Sequence, residues 1–220
     1  MSNINVAVIL SGCGVFDGAE INEVVLTLLA LENKGVAYQC FAPDIEQHHV
    51  IDHITGETMN ESRNVLKEAA RIVRGNIKPV MECSCDEFSA VIVPGGFGAA
   101  KNLSNFATRG ENDDFCVDKS TLKVLTMFAG KNKPAGYMCI APVILPSVYG
   151  RGITMTIGND ENVIEFIEKA GCRHQTAAYN ETVIDDERKV VTTPAYMLAK
   201  NIAQAKEGID KLVAEVVSMC

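Results

Sequence analysis

Apolar residues follow two alternating rhythms along this chain. Asn5-Val-Ala-Val-Ile-Leu10 and Ala90-Val-Ile-Val-Pro94 are near-continuous apolar runs, the pattern of strands buried on both faces of a parallel sheet. A third run leads from Pro134 into Cys139, and Val36 to Ala42, closed by Pro43, reads as another strand. Between the first two strands, Ile21, Val24, Val25, Leu28 and Leu29 recur at helical spacing until Gly35, with Asp17 and Glu20 resembling a capping box at the start. The segment from Asp44 to Met59 is irregular, and helical periodicity returns from Asn60 to Arg74 through Val65, Leu66, Ala69, Ile72 and Val73.

The same alternation continues to the end. Asp113 to Gly130 reads as a helix, Ile140 to Tyr149 as a helix directly behind Cys139, Ile153 to Ile157 as a strand, and Asp160 to Ala170 as a helix. Thr182 to Ile184 and Lys189 to Thr192 suit a hairpin around Asp185-Asp-Glu-Arg188. Pro194 stands where a helix accepts proline in its first turn, and Leu198, Ile202, Ala205, Ile209, Leu212, Val213 and Val216 form a closing amphipathic helix. This order predicts one doubly wound, mostly parallel α/β domain over residues 1–220, a sheet sandwiched by helices, with its site outside the carboxyl ends of the strands.

Composition narrows what such a domain does. The 220 residues are 47% hydrophobic and 22% charged, ordinary values for a globular protein. A net charge of −8 with scattered lysines and arginines gives nucleic acid nothing to hold. No stretch approaches the roughly 20 apolar residues of a membrane span, and Met-Ser-Asn-Ile-Asn at the N-terminus lacks the look of a signal peptide. Eight cysteines without that signal read as reduced thiols in a cytoplasmic protein.

One cysteine stands apart. A strand that turns sharply into a helix presents the residue at the turn, and Cys139 occupies that place, where helix amides are expected to lower a thiol's pKa. The other reading of Cys139 is a buried small apolar residue. In a parallel sheet three loops meet at this edge: Ser11 to Gly18, with Gly12 and Cys13; Gly95 to Asn102; and Cys139 with Ile140. Backbone amides of the glycine loop, with the amide after Cys139, would stabilise an oxyanion; alternatively Gly95, Gly96 and Gly98 only make a tight turn. Glu20 has a capping role available, which leaves Glu23 freer to face the thiol as its proton partner, against the alternative of a solvated first-turn carboxylate.

Other chemistries find less support. Gly12-x-Gly14 has its third glycine at Gly18, one position late for a dinucleotide fingerprint, and no phosphate-binding lysine follows. His49 with His53, and Cys83-x-Cys85, are the fragments of a metal site, without a matching second pair. Neither a metal nor a cofactor is expected.

Val93-Pro-Gly-Gly-Phe-Gly-Ala-Ala-Lys-Asn-Leu103 and the Cys139 turn resemble the superfamily of PfpI-like proteins, class I glutamine amidotransferases and glyoxalase III-type enzymes. Leu10 to Val15, Gly95 to Ala107, Met138-Cys-Ile-Ala-Pro142 and Thr192-Thr-Pro-Ala-Tyr-Met-Leu198 are similar to the ElbB-type glyoxalases, also called the ES1 family. The resemblance implies a flavodoxin-like sandwich, usually a homodimer, acting on small aldehydes without a cofactor. It implies that Cys139 is the elbow cysteine, that Glu23 lies against it, and that Gly96 and Ile140 supply the oxyanion amides. The chain departs from the proteases and amidotransferases, because Ile140 stands where the protease pattern has histidine and His174 is the only histidine after Cys139. A cysteine and a glutamate side by side suit conversion of glyoxal to glycolate through a hemithioacetal, their shared proton raising the glutamate's pKa. The same pair suits a redox-sensing or protein-protective thiol, and a non-catalytic binding module is the third reading. No residue points to a prenyl substrate.

Overall fold

The computed structural model describes residues 4–110 and 113–220, so Met1 to Asn3 of the N-terminal stretch lie outside the described residues. The expected apolar runs become strands: β1 (Asn5–Ile9), β2 (Ala37–Ala42), β4 (Ala90–Val93), β5 (Ala135–Met138) and β9 (Val190–Thr193). Together with β3 (Ile77–Pro79) and β8 (Val183–Asp185) they form a seven-stranded sheet in the order β3-β2-β1-β4-β5-β9-β8. All neighbours are parallel except β8, the antiparallel partner of β9 in the expected hairpin.

Alternation along β5 shows how the helices cover both faces. A side chain at Gly136 would run into Leu212 and Val216 of α7 (Ile202–Ser218), whereas the next residue, Tyr137, stacks edge-on against Tyr149 of α5 (Leu145–Tyr149) with ring centroids 6.5 Å apart. On the α7 side, α1 (Ile21–Asn33) packs along α7; on the α5 side, α4 (Lys119–Gly130) packs along α5. Val6 to Leu10, Ala90 to Val93 and Ala135 to Met138 are buried between these layers.

Several elements differ from expectation for local reasons. The helix expected from Asn60 starts only at α2 (Val65–Ile72), because the Asn64 side chain accepts from Lys67 N and caps it there. Asp118 does the same for α4, accepting from Thr121 N. α1 is capped by Glu20, whose Oε2 accepts from Glu23 N at 2.6 Å, while Asp17 turns away to accept from Ile51 N. The stretch after Pro194 is a 3₁₀ turn, Ala195–Met197, and α7 begins beyond it. Of Ile153 to Ile157 only β6 (Thr154–Met155) is a strand, and it pairs with β7 (Arg173–His174) outside the main sheet. α6 (Glu161–Lys169) lies between those two strands.

α1 also inverts part of its expected face. Glu23, Val24, Leu26 and Thr27 are buried, whereas Ile21, Val25 and Leu29, one turn apart, are each more than 40% exposed. Among the described residues no helix is long and apolar enough to cross a membrane.

Candidate active site

The register of the sheet brings four strand ends to one place. Val8 of β1 lies beside Ile92 of β4, Val93 beside Tyr137 of β5, and Met138 beside Thr193 of β9. The residues just past β4, β5 and β9 are therefore neighbours, and the short loop after β1 feeds α1 towards them. Glu23, Gly95, Cys139 and Tyr196 meet there.

Each is held by backbone. Cys139 has φ 58, in the left-handed region, and its N–H donates to Thr193 O at 3.1 Å. The expected helix behind it is a 3₁₀ turn, Ala141–Ile144, followed by the five-residue α5, so a long helix dipole is not what faces the sulfur. The Gly96 and Ile140 N–H groups do, close enough to favour negative charge on it. Glu23 is fully buried; its Oε2 accepts from Gly95 N at 2.8 Å and its Oε1 from Tyr196 N at 3.2 Å, and its carboxyl lies beside the Cys139 side chain.

Glycine is obligatory in this packing. A Cβ at Gly95 would lie 2.9 Å from Glu23 Oε2 and closer still to the Cβ of Cys139. Gly96 has φ 92 and lies against the backbone of Gly18 and Glu20. The loop has no side chains where the thiol and the carboxyl approach each other.

The electrostatics correct one expectation. Burial raises the Cys139 thiol well above its ordinary value, the Glu23 carboxylate adds to this, and the Gly96 and Ile140 amides only partly oppose it. The shift runs opposite to the lowering expected from its place at the turn. Burial, then the nearby Glu20, lifts the Glu23 carboxyl to about 7 against its hydrogen bonds from Tyr196 and Gly95 and the Cys139 side chain beside it. Glu23 is thus a carboxyl able to gain and lose a proton near neutral pH, placed beside the thiol.

A cavity of about 350 Å³ opens over Cys139 and Ile140. Among the expected residues, Gly96 and Ile140 line it with Cys139, and Gly95 packs behind the pair. Gly12, Cys13 and Asn102 do not line it. Asn102 is a brace: its Nδ2 donates to Ser11 O and Asp17 O, and its Oδ1 accepts from His48 N. Gly12 packs against Gly18 and the Asn102 side chain, and Cys13 is near Glu68 and Arg71 on the α2 side. The β1 loop sends Val15 to the cavity instead. Tyr196, which orients Glu23, was not expected, because its role lies in a backbone N–H. The signal nearest to it is Pro194-Ala195, since Ala195 takes φ 43 and turns the chain back towards α1.

His174 lies in β7 and does not line the cavity. His53 accepts from Phe16 N through Nε2, and His48 and His49 stack on each other with centroids 4.4 Å apart. Among the described residues no three His, Cys, Asp or Glu side chains form a group able to hold a metal ion.

No family model matches the chain. A rat protein named ES1 protein homolog, mitochondrial, is 42% identical over 224 residues, covering 97% of this chain and 83% of that protein. The crystal structure of an isoprenoid biosynthesis protein with an amidotransferase-like domain from Ehrlichia chaffeensis is 34% identical, with a TM-score of 0.91 over 98% of this chain and 99% of that one. Glyoxalase III from Candida albicans, at 14% identity and a TM-score of 0.63 over 98% and 97% of the two chains, shares the fold. The matched relatives from rat, human and zebrafish are mitochondrial proteins, which overturns the expectation of a cytoplasmic one. Reduced cysteines identify a reducing compartment without saying which.

Proposed function

The chain belongs to the ES1 family of the PfpI-like and glutamine amidotransferase-like superfamily, and from that premise we propose that it is a glyoxalase III-type lyase, converting glyoxal or a related small 2-oxoaldehyde to the hydroxy acid. The observation that carries this reading is the buried Glu23 carboxyl, fixed by the Gly95 and Tyr196 amides behind Cys139, beneath a cavity that no histidine lines among the described residues. Glutamine hydrolysis needs an imidazole to protonate the leaving amine; rearrangement of a 2-oxoaldehyde needs only a nucleophile and a carboxylate able to carry one proton between adjacent carbons.

In this scheme Glu23 takes the thiol proton as Cys139 Sγ bonds to the aldehyde carbon, and the Gly96 and Ile140 amides meet the negative charge. Glu23 gives that proton to the oxygen, completing the hemithioacetal. As a carboxylate again, it moves the hydrogen of that carbon, as a proton, to the neighbouring carbon while the hydroxyl proton passes to the neighbouring oxygen. The aldehyde carbon is oxidised to a thioester while its neighbour is reduced to an alcohol, so no outside oxidant, reductant or cofactor enters. Water cleaves the thioester and restores the thiol. A carboxyl that titrates near 7 both accepts and returns a proton at neutral pH.

The test is glycolate formation from glyoxal by the wild type, Cys139→Ser and Glu23→Gln. Loss of turnover in both folded variants supports the pair; an active Cys139→Ser ends the reading. A wild type inert towards glyoxal and other 2-oxoaldehydes, yet rapidly converted to sulfinic acid by peroxide, would favour the redox-sensing reading, although the upward pull on the thiol works against it. The proposal includes a homodimer, for which the exposed Ile21, Val25 and Leu29 offer an apolar face. Light scattering behind size exclusion tests it, and the mass of a single chain would overturn it.

A further inference from the structure

The cavity over Cys139 is much larger than the smallest aldehyde requires. Glyoxal has four non-hydrogen atoms, which at ~30 Å³ per water-sized unit occupy on the order of 100 Å³. The cavity holds about 350 Å³, within the range of pockets that enclose a ring or a branched chain rather than a two-carbon molecule.

Its walls are as informative as its size. Val15, Phe97, Ala100, Phe106, Val163 and Met197 make it largely apolar. Phe106 is held rigidly, its ring edge-on to Phe166 with centroids 4.9 Å apart, and Phe166 packs in turn on Phe115 and under the Arg109 guanidinium. Side-chain polar groups lie at the rim, where Asp160 and Asn162 are exposed and the Asp160 carboxylate is occupied in capping α6 through Asn162 N and Val163 N. The Tyr196 hydroxyl accepts from Asn22. Among the described residues no lysine, arginine or histidine lines the cavity, so a phosphate or carboxylate on the substrate would find no counter-charge and would meet Asp160 at the mouth.

We propose that the substrate of this site is a 2-oxoaldehyde whose ketone carbon carries an uncharged apolar group of about six to eight carbons, aryl or branched alkyl, with glyoxal a poor surrogate that reaches Cys139 but leaves the cavity unfilled. This rests on the aldehyde reading above and uses the same balanced rearrangement. Sulfur adds to the terminal carbon, the hydrogen there passes to the ketone carbon through Glu23, and water releases a 2-hydroxy acid. The apolar group packs against Phe106 and Val163, which holds the two reacting carbons against Cys139, with Glu23 behind the thiol. Binding energy from this non-reacting part serves orientation, so it raises kcat as well as lowering KM.

Steady-state kinetics with glyoxal, methylglyoxal and phenylglyoxal test it, following glycolate, lactate and mandelate by chromatography with Cys139→Ser as the blank. The expected result is a rise in kcat/KM along the series, on the order of a hundredfold from first to last. Val15→Phe, which fills the cavity, and Phe106→Ala, which removes its wall, should each lower the ratio of kcat/KM for phenylglyoxal over glyoxal by roughly tenfold or more. The ratio is unaffected by any misfolded fraction. Turnover of all three with glyoxal equal or better overturns this inference and leaves the aldehyde reading standing. A ratio unmoved in both variants also overturns it. If the wild type turns over none of the three, the aldehyde reading falls and takes this inference with it.

Discussion

The loops after β1 and β4 look alike in sequence and act differently. Both follow buried strands, both are rich in glycine and both end at the same sheet edge. In the β4 loop the amides point at the chemistry: Gly95 N at the Glu23 carboxyl and Gly96 N at the Cys139 sulfur. The β1 loop turns its carbonyls outward to hold its neighbour, Val15 O accepting from Phe97 N and Gly18 O from Gly98 N. Its carbonyls at Ser11 and Asp17 are taken by Asn102. The β1 loop holds the Phe97 and Gly98 amides, and Gly95 O accepts from Glu20 N, which seats the β4 loop with its Gly95 amide on Glu23. Glycine content marks where the backbone comes close to something, and the hydrogen-bond direction decides whether that something is substrate or scaffold.

This division can be broken from either side. The largest expected effect is at the donor loop's target: Glu23→Gln keeps the shape of the carboxyl but cannot carry a proton, and should lower turnover by about 10²- to 10⁴-fold with the fold intact by circular dichroism. Gly95→Ala should cost on the order of 10²-fold, since its Cβ must displace Cys139 or Glu23 from their alignment. Near-normal turnover in that variant would mean that the loop is only a turn.

A third prediction concerns pH. The folded carboxyl of Glu23 titrates near 7 instead of its ordinary 4.5, so folding favours its protonated form. Its contribution to stability is therefore fully present below about pH 4.5 and is lost as pH rises through 7, amounting to about 3 kcal/mol across that window. Urea unfolding of wild type and Glu23→Gln should diverge by about that much between pH 4.5 and 8, the variant becoming relatively more stable as pH rises. Turnover should climb through pH 7 as the carboxyl loses its proton, with no such inflection in the variant.

The smallest effect on chemistry belongs to the acceptor side. Asn102→Ala leaves the Ser11 and Asp17 carbonyls without their donor and should destabilise the protein by about 1–3 kcal/mol. Turnover per folded molecule should stay within about twofold. A hundredfold loss would place Asn102 in the site after all.

The sequence was most legible where burial is uniform. The runs at β1, β4 and β5 are apolar on both faces, so their pattern leaves only a strand between layers. β3 escaped because three residues including Lys78 and Pro79 carry no period, and α3 (Phe97–Lys101) was hidden within a glycine loop of low helix propensity. Cys139, Glu23 and Gly96 could be placed near one another because each follows or faces a readable element. Tyr196 could not, since a contact made by a backbone N–H depends on the β5-β9 pairing and leaves no trace in residue type. The stripe on α1 misled in the opposite sense: Ile21, Val25 and Leu29 share the helical period, but period alone does not say which face turns inward.

The positive φ of Cys139 also narrows the amino acids by which this position can change. A backbone at 58° is tolerable for an unbranched side chain and strained for one branched at Cβ. Serine can follow cysteine there, and glycine would relax the turn at the expense of the nucleophile. Threonine, a competent nucleophile elsewhere, is barred by its own methyl group. The turn thus acts as a filter on mutational history: a lineage that loses this sulfur retains the scaffold and has almost no single substitution that replaces the chemistry.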